Sequence, residues 1–110
     1  MASLGTTTFR GRSGKQYRFR VFPLGTRFRK ISGVYVVACR AHGTTGGYQY
    51  TALLAGHSED FSRPFAEHPQ APECARQGAN CICVLKDGSE ESRLAKQQDL
   101  FAALHRQDNN

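Results

Sequence analysis

The chain has 110 residues with 15 Lys and Arg against 9 Asp and Glu, a formal charge of +6. That length supports a single core, and no apolar run approaches the ~20 residues that cross a bilayer. The excess of positive charge directs attention to polyanionic partners, nucleic acid first, while the lack of an apolar run leaves no membrane partner expected. The start "MASLGTTTF" has no basic stretch followed by an apolar one, so a cytoplasmic location is expected, with Cys39, Cys74, Cys81 and Cys83 as free thiols.

In chain order, "FRGRSGKQ" with Gly11 and Gly14 predicts a hairpin that joins residues 7–10 to a strand "KQYRFRVF". Alternation in that strand puts Tyr17, Phe19 and Val21 on one face and Arg18, Arg20 and Phe22 on the other, so its outer side is basic. "GRSGK" has neither the spacing nor the following helix of a phosphate-binding loop. From Arg10 to Arg40 the chain carries no acid, and every Asp and Glu falls from Glu59 onward. Arg18, Arg20, Arg27, Arg29, Lys30 and Arg40 are therefore the candidate nucleic-acid-binding set. The competing reading is a solvated strand edge, where positive side chains discourage aggregation.

"GVYVVAC" is β-branched and apolar, as a central strand is, and "AHGTTGG" turns it into a partner strand "YQYTALLA". Tyr48 and Tyr50 share one side of that partner and offer either stacking surfaces or cross-strand packing. Ser58, Glu59 and Asp60 resemble a helix start, but Pro64 moves the expected start to Ser62, where proline is tolerated in the first turn. "APECARQG" predicts a short helix ended by Gly78, and "NCICVL" a further strand. The last helix is capped by Ser89, runs to about His105 and presents Leu94, Gln97, Phe101 and Leu104 as its inward stripe. The tail 106–110 is expected to fray.

The element order is β-β-β-β-α-α-β-α, an α+β domain with a small antiparallel or mixed sheet flanked by helices. Residues 1–110 form one domain: a basic hairpin over about 7–30, then a core over about 31–105. Gly33-Val34-Tyr35 on one strand, Leu54-Ala55-Gly56 ending the next and a helix after Gly56 resemble the GIY-YIG nuclease domain from about Gly33 to Leu104. The basic hairpin resembles an extension found in small stand-alone bacterial members.

That resemblance implies two tyrosines, an arginine and a metal-holding glutamate. Here Tyr35 matches the first tyrosine, Leu54 replaces the second, Pro64 stands in the arginine's place and Gln97 in the glutamate's. Arg63 is adjacent, His57 falls where basic residues are frequent, and His68 where tyrosine or histidine is. Tyr35, His57, Arg63 and His68 are thus the candidate catalytic set. Each missing charge-stabilising group lowers turnover by about 10²–10³. The expectation is a catalytically degenerate binding module that contacts nucleic acid or an acidic protein, with no metal site and no cofactor. Two alternatives stand: a divergent endonuclease using Mg²⁺, and a protein–protein adaptor or inhibitor. A zinc site from Cys74, Cys81, Cys83 and His68 lacks the usual C-x₂₋₄-C spacing. Oligomeric state is not legible in the sequence.

Overall fold

A computed structural model describes residues 3–104. The helix end expected at about His105 and the tail 106–110 lie outside the described residues. Five strands form one sheet: β1 (Gly5–Arg10), β2 (Gln16–Pro23), β3 (Gly33–His42), β4 (Tyr48–Ser58) and β5 (Cys81–Lys86). Their spatial order is β1-β2-β5-β3-β4. Every pairing between these strands is antiparallel, so of the two expected sheet types the antiparallel one is observed. Two helices complete the fold, α1 (Ala71–Arg76) and α2 (Glu90–Leu104).

The sheet separates two apolar layers. On one side Phe19, Val21, Val34, Val36 and Ala55 pack with Leu100 of α2. On the other, Tyr35, Val37, Ile82 and Val84 are covered by Phe61, Cys74 and the segment that carries Phe28 and Ile31. Each of the three inner strands feeds both layers by strict alternation. β3 has six consecutive buried residues, from Gly33 to Ala38, because it is sandwiched between β5 and β4 and covered on both faces. A bulge interrupts its pairing with β4: Val37 opposes Leu54 and Ala38 opposes Ala52, which leaves Leu53 as the extra residue.

The sheet extends beyond the end of β5 through one side chain. Asn80 accepts from the Arg40 N–H at 2.8 Å and donates to the Arg40 carbonyl at 2.8 Å, so its amide continues the β3 ladder.

Two expected helical features differ. No helix begins at Ser62. Ser58 Oγ accepts from the Asp60 N–H (3.0 Å) and Asp60 Oδ1 from the Ser62 N–H (2.8 Å), two side-chain turns that take the amides a helix would need. Pro64 is extended (φ −62, ψ 142) and leads into a single 3₁₀ turn, Phe65–Glu67. In α2 the inward stripe is rotated: Arg93 and Leu100 are each 3% exposed, while Leu94 and Phe101 are 42% and 45% exposed. Leu104 packs on the core as expected. The apolar stripe fitted to Leu94 and Phe101 lost to a buried arginine, whose guanidinium donates to the Asp87 carbonyl at 3.1 Å.

The β1–β2 turn is fastened to α2 by Asp99. Its carboxylate accepts from the Ser13 N–H (2.8 Å), the Ser13 hydroxyl (2.7 Å) and the Tyr17 hydroxyl (2.7 Å). Gly11 leaves the room this requires, since a Cβ there would fall 2.0 Å from Asp99 Oδ2. The Ser13 hydrogen bonds, then that from Tyr17, hold the Asp99 carboxyl below the usual carboxylate range. A depressed folded-state pKa adds stability above the unfolded value of about 3.9, and that contribution disappears as pH falls through the folded value. Asp99→Asn should therefore lower stability at pH 7, and the gap to the native chain should narrow below about pH 4. Urea titrations of both proteins across that range measure it, and a gap independent of pH would refute the assignment.

Candidate functional site

Tyr35, His57, Arg63 and His68 all border one cavity of about 400 Å³ on the face opposite α2. Strand β3 supplies Tyr35 and the end of β4 supplies His57; Arg63 and His68 come from the loop and the 3₁₀ turn that follow. Tyr35 is 8% exposed and lies over Gly56, its partner across the β3–β4 ladder. Its ring meets Phe61 edge-on at 5.9 Å and His68 edge-on at 6.4 Å. Burial pushes the Tyr35 phenol above its ordinary pKa, so it remains a neutral hydrogen-bond donor and is not a base at physiological pH.

His68 stacks on Phe65 at 5.3 Å. Its Nδ1 accepts from the Gln70 N–H at 2.9 Å, so the neutral ring carries its proton on Nε2. Arg63 is exposed at the rim. Asp60 and Glu67 also line the cavity. Hydrogen bonds from Ser62 keep the Asp60 carboxyl below its ordinary pKa, with smaller help from Lys30 and Arg63. His57 differs from the other three. It pairs with Val34, whose side chain belongs to the α2-side core, so the pleat directs the imidazole away from Tyr35. Its Nδ1 is buried without a hydrogen-bond partner among the described residues.

Two positions tied to the nuclease resemblance fall differently. Leu54 opposes Val37 and packs in the same apolar layer as Tyr35. Gln97 sits on α2, whose Leu100 and Leu104 pack on the other face of the sheet, and no α2 residue lines the Tyr35 cavity. The closing helix therefore does not bring its amide to the tyrosine.

The second concavity on the Tyr35 face is a groove of about 680 Å³. Arg18 and Arg20 of β2, Arg29 of the 24–31 segment and Lys86 of β5 line it, with Phe22, Phe28 and Val84 as its floor and wall. Arg27 and Lys30 are exposed on the same segment but are not among its lining residues. Arg40 is elsewhere. It pairs with Tyr50, which packs in the α2-side core, and its guanidinium lies 3.5 Å over the Tyr48 ring. The reason is the alternation of β3, which puts Arg40 and Tyr35 on opposite faces. Tyr48 is capped by this cation and Tyr50 meets Phe9 edge-on at 6.4 Å, so both are packing residues away from the groove.

The chain matches no family model, no curated protein and no solved structure.

Lys86 was missed in the sequence although it shares a face with Ile82 and Val84 by alternation. Its neighbours in the groove follow from the β2–β5 pairing, in which Arg20 opposes Val84. Zinc ligation by the four residues considered is blocked by the sheet. Cys81 and Cys83 belong to the α2-side core and Cys74 to the opposite layer. The hydrogen bond that the Cys83 S–H donates to Cys81, then burial, pushes the Cys83 thiol up, so it is an inert packing group. No described helix is long and apolar enough to cross a membrane.

The two concavities differ in charge. Among the described residues the groove is lined by four cations and no carboxylate, whereas the cavity has Arg63 against Asp60 and Glu67. Phosphate is attracted to the first and is opposed by the carboxylates of the second.

Proposed function

We propose that this chain is a nucleic-acid-binding module, a GIY-YIG-like frame that grips phosphates through its groove instead of hydrolysing them. The observation that carries this reading is the acid-free lining of Arg18, Arg20, Arg29 and Lys86 beside the exposed cations Arg27 and Lys30. Strand pairing holds three of the four lining cations on two adjacent strands, so they form a fixed row and not a set of independent surface charges. Phosphate contacts of this kind release counterions and make binding steeply salt-dependent.

Four such contacts imply a slope of log K against log salt of about −2.8 on a single strand. Arg18→Glu with Arg20→Glu should flatten the slope by about 1.4 or more and remove retention on nucleic acid at moderate salt. Both residues are exposed, so folding should survive, and circular dichroism would confirm it. Equal retention of the native and charge-reversed chains would refute the groove. Binding to an acidic protein but to no nucleic acid would replace the module with the adaptor reading.

A divergent endonuclease is the second reading, favoured by the convergence of Tyr35, Arg63 and His68 on one cavity. In that reading Asp60 and Glu67 are the oxygen donors suited to Mg²⁺, which would polarise the phosphate. Supercoiled DNA incubated with Mg²⁺ or Mn²⁺ should then be nicked by the native chain and left intact by Tyr35→Phe. Absence of nicking at high protein concentration would dismiss it.

A further inference from the structure

Groove and cavity are not separate features. Phe28 lines both of them. From it a row of rings runs each way: Phe22 meets Phe28 edge-on at 5.1 Å, Phe28 meets Phe61 at 6.0 Å, Phe61 meets Tyr35 at 5.9 Å, and Tyr35 meets His68 at 6.4 Å. The row begins among the cations and ends inside the cavity.

We propose that a single-stranded nucleic acid lies along the groove and inserts one unstacked base into the cavity that Phe28, Tyr35 and His68 of this row border. The inference rests on the nucleic-acid reading above and adds to it the strand state of the ligand and a base-binding site. Three physical facts support it. Charge separates the roles: the groove carries only cations, suited to phosphates, while the cavity, with two carboxylates against one guanidinium, favours an uncharged base over a phosphate. The cavity offers the groups that read a base edge, namely Tyr35 and His68 Nε2–H as donors and Asp60 and Glu67 as acceptors. Its volume of about 400 Å³ suits a small planar ligand, and aromatic rings supply stacking that tolerates any base. A base within a duplex cannot leave its stack without an energetic cost, so duplex would use the groove alone.

The test uses the native chain and short single strands of about six nucleotides, as DNA and as RNA, long enough for four phosphate contacts and short enough to limit sliding. An abasic nucleotide is placed at each position in turn. At one position it should weaken binding by about fivefold to 150-fold, with the salt slope unchanged because every phosphate remains. A 2-aminopurine at that position should change fluorescence on binding, and the matching duplex should bind more weakly. Tyr35→Phe should weaken only strands that carry a base at that position; a purely structural role for the hydroxyl would weaken the abasic strand equally.

The inference is overturned if every abasic strand binds within about twofold of the intact one, below the range that stacking supplies. It is also overturned if duplex and single strand bind alike. Either result, with a steep salt slope that charge reversal at Arg18 and Arg20 flattens, leaves the groove standing and removes the base site. Failure of all strands to bind removes both.

Discussion

Gly33→Ala should unfold the domain or lower its stability by ~3 kcal/mol or more. Gly33 opens the inner strand β3, flanked by Ser58 on one side and Lys86 on the other. A Cβ at this position would fall 2.3 Å from the Leu85 carbonyl oxygen, 3.0 Å from its carbon and 3.1 Å from Lys86 Cα. All three are backbone atoms of a paired strand, so none can rotate aside. Relief requires β3 and β5 to separate at the end where α2 begins, and the ladder at that end would be lost. Overpacking a well-filled core ordinarily costs about 1–3 kcal/mol, and an immovable backbone wall puts this site at or beyond the top of that range. A loss of 3 kcal/mol lowers Tm by about 12–24 °C in a domain of this size. Gly25→Ala is the control: nothing lies within 4 Å of its Cβ position, so it should be neutral or slightly stabilising. Thermal melts of the three proteins decide the point, and a Gly33→Ala chain that melts with the native one would show the strands are not packed as described.

Gly56→Ala should cost about 1–3 kcal/mol and disorganise the cavity. The added Cβ would lie 2.5 Å from Tyr35 Cζ and Oη and 2.9 Å from Cε2. Here the obstacle is a side chain and can move, but Phe61 and His68 pack on the ring and Tyr35 is 8% exposed. Turning the ring away forfeits those contacts and removes the hydroxyl from the cavity wall. A double-mutant cycle isolates the cause. In a Tyr35→Ala background, Gly56→Ala should cost little, giving a coupling of about 0.5–3 kcal/mol. An equal cost in both backgrounds would show that the contact with the tyrosine is not responsible. Because Tyr35 lies in the cavity part of the aromatic row, away from the groove, the same Gly56→Ala chain should keep its salt-dependent groove binding while the cavity's contribution falls.

Both predictions concern glycines that the sequence marks within the pattern resembling a nuclease, Gly33-Val34-Tyr35 and Leu54-Ala55-Gly56. Tyr35 and Gly56 pair only because the bulge between Val37 and Ala38 shifts the register by one residue, which the sequence did not reveal. The basic outer side of β2 was legible, since period-two alternation fixes which residues share a face once a strand is recognised. The loop after Gly56 was less so. Its Ser58, Asp60 and Ser62 fit a helix start and a chain of side-chain turns equally well, and the hydrogen bonds chose the turns. α2 was found with its acidic first turn but given the wrong inward face. Periodicity weights apolar residues, whereas burial of Arg93 depends on the Asp87 carbonyl it meets.

Local pattern thus determined the five strands and the two helices α1 and α2 in their order, the faces within each strand and the excess of positive charge in the first half, but not the 3₁₀ turn that stands where a helix from Ser62 was expected. Sequence alone could not show that β5 inserts between β2 and β3, because pairing partners far apart in the chain are chosen by the burial that the whole sheet achieves. That insertion brings Lys86 beside Arg18 and Arg20. The same tertiary choice laid α2 on the face away from Tyr35, which parts Gln97 from the cavity. Faces are a local property of the strand, but neighbours are a property of the sheet, and the groove and cavity are made of neighbours.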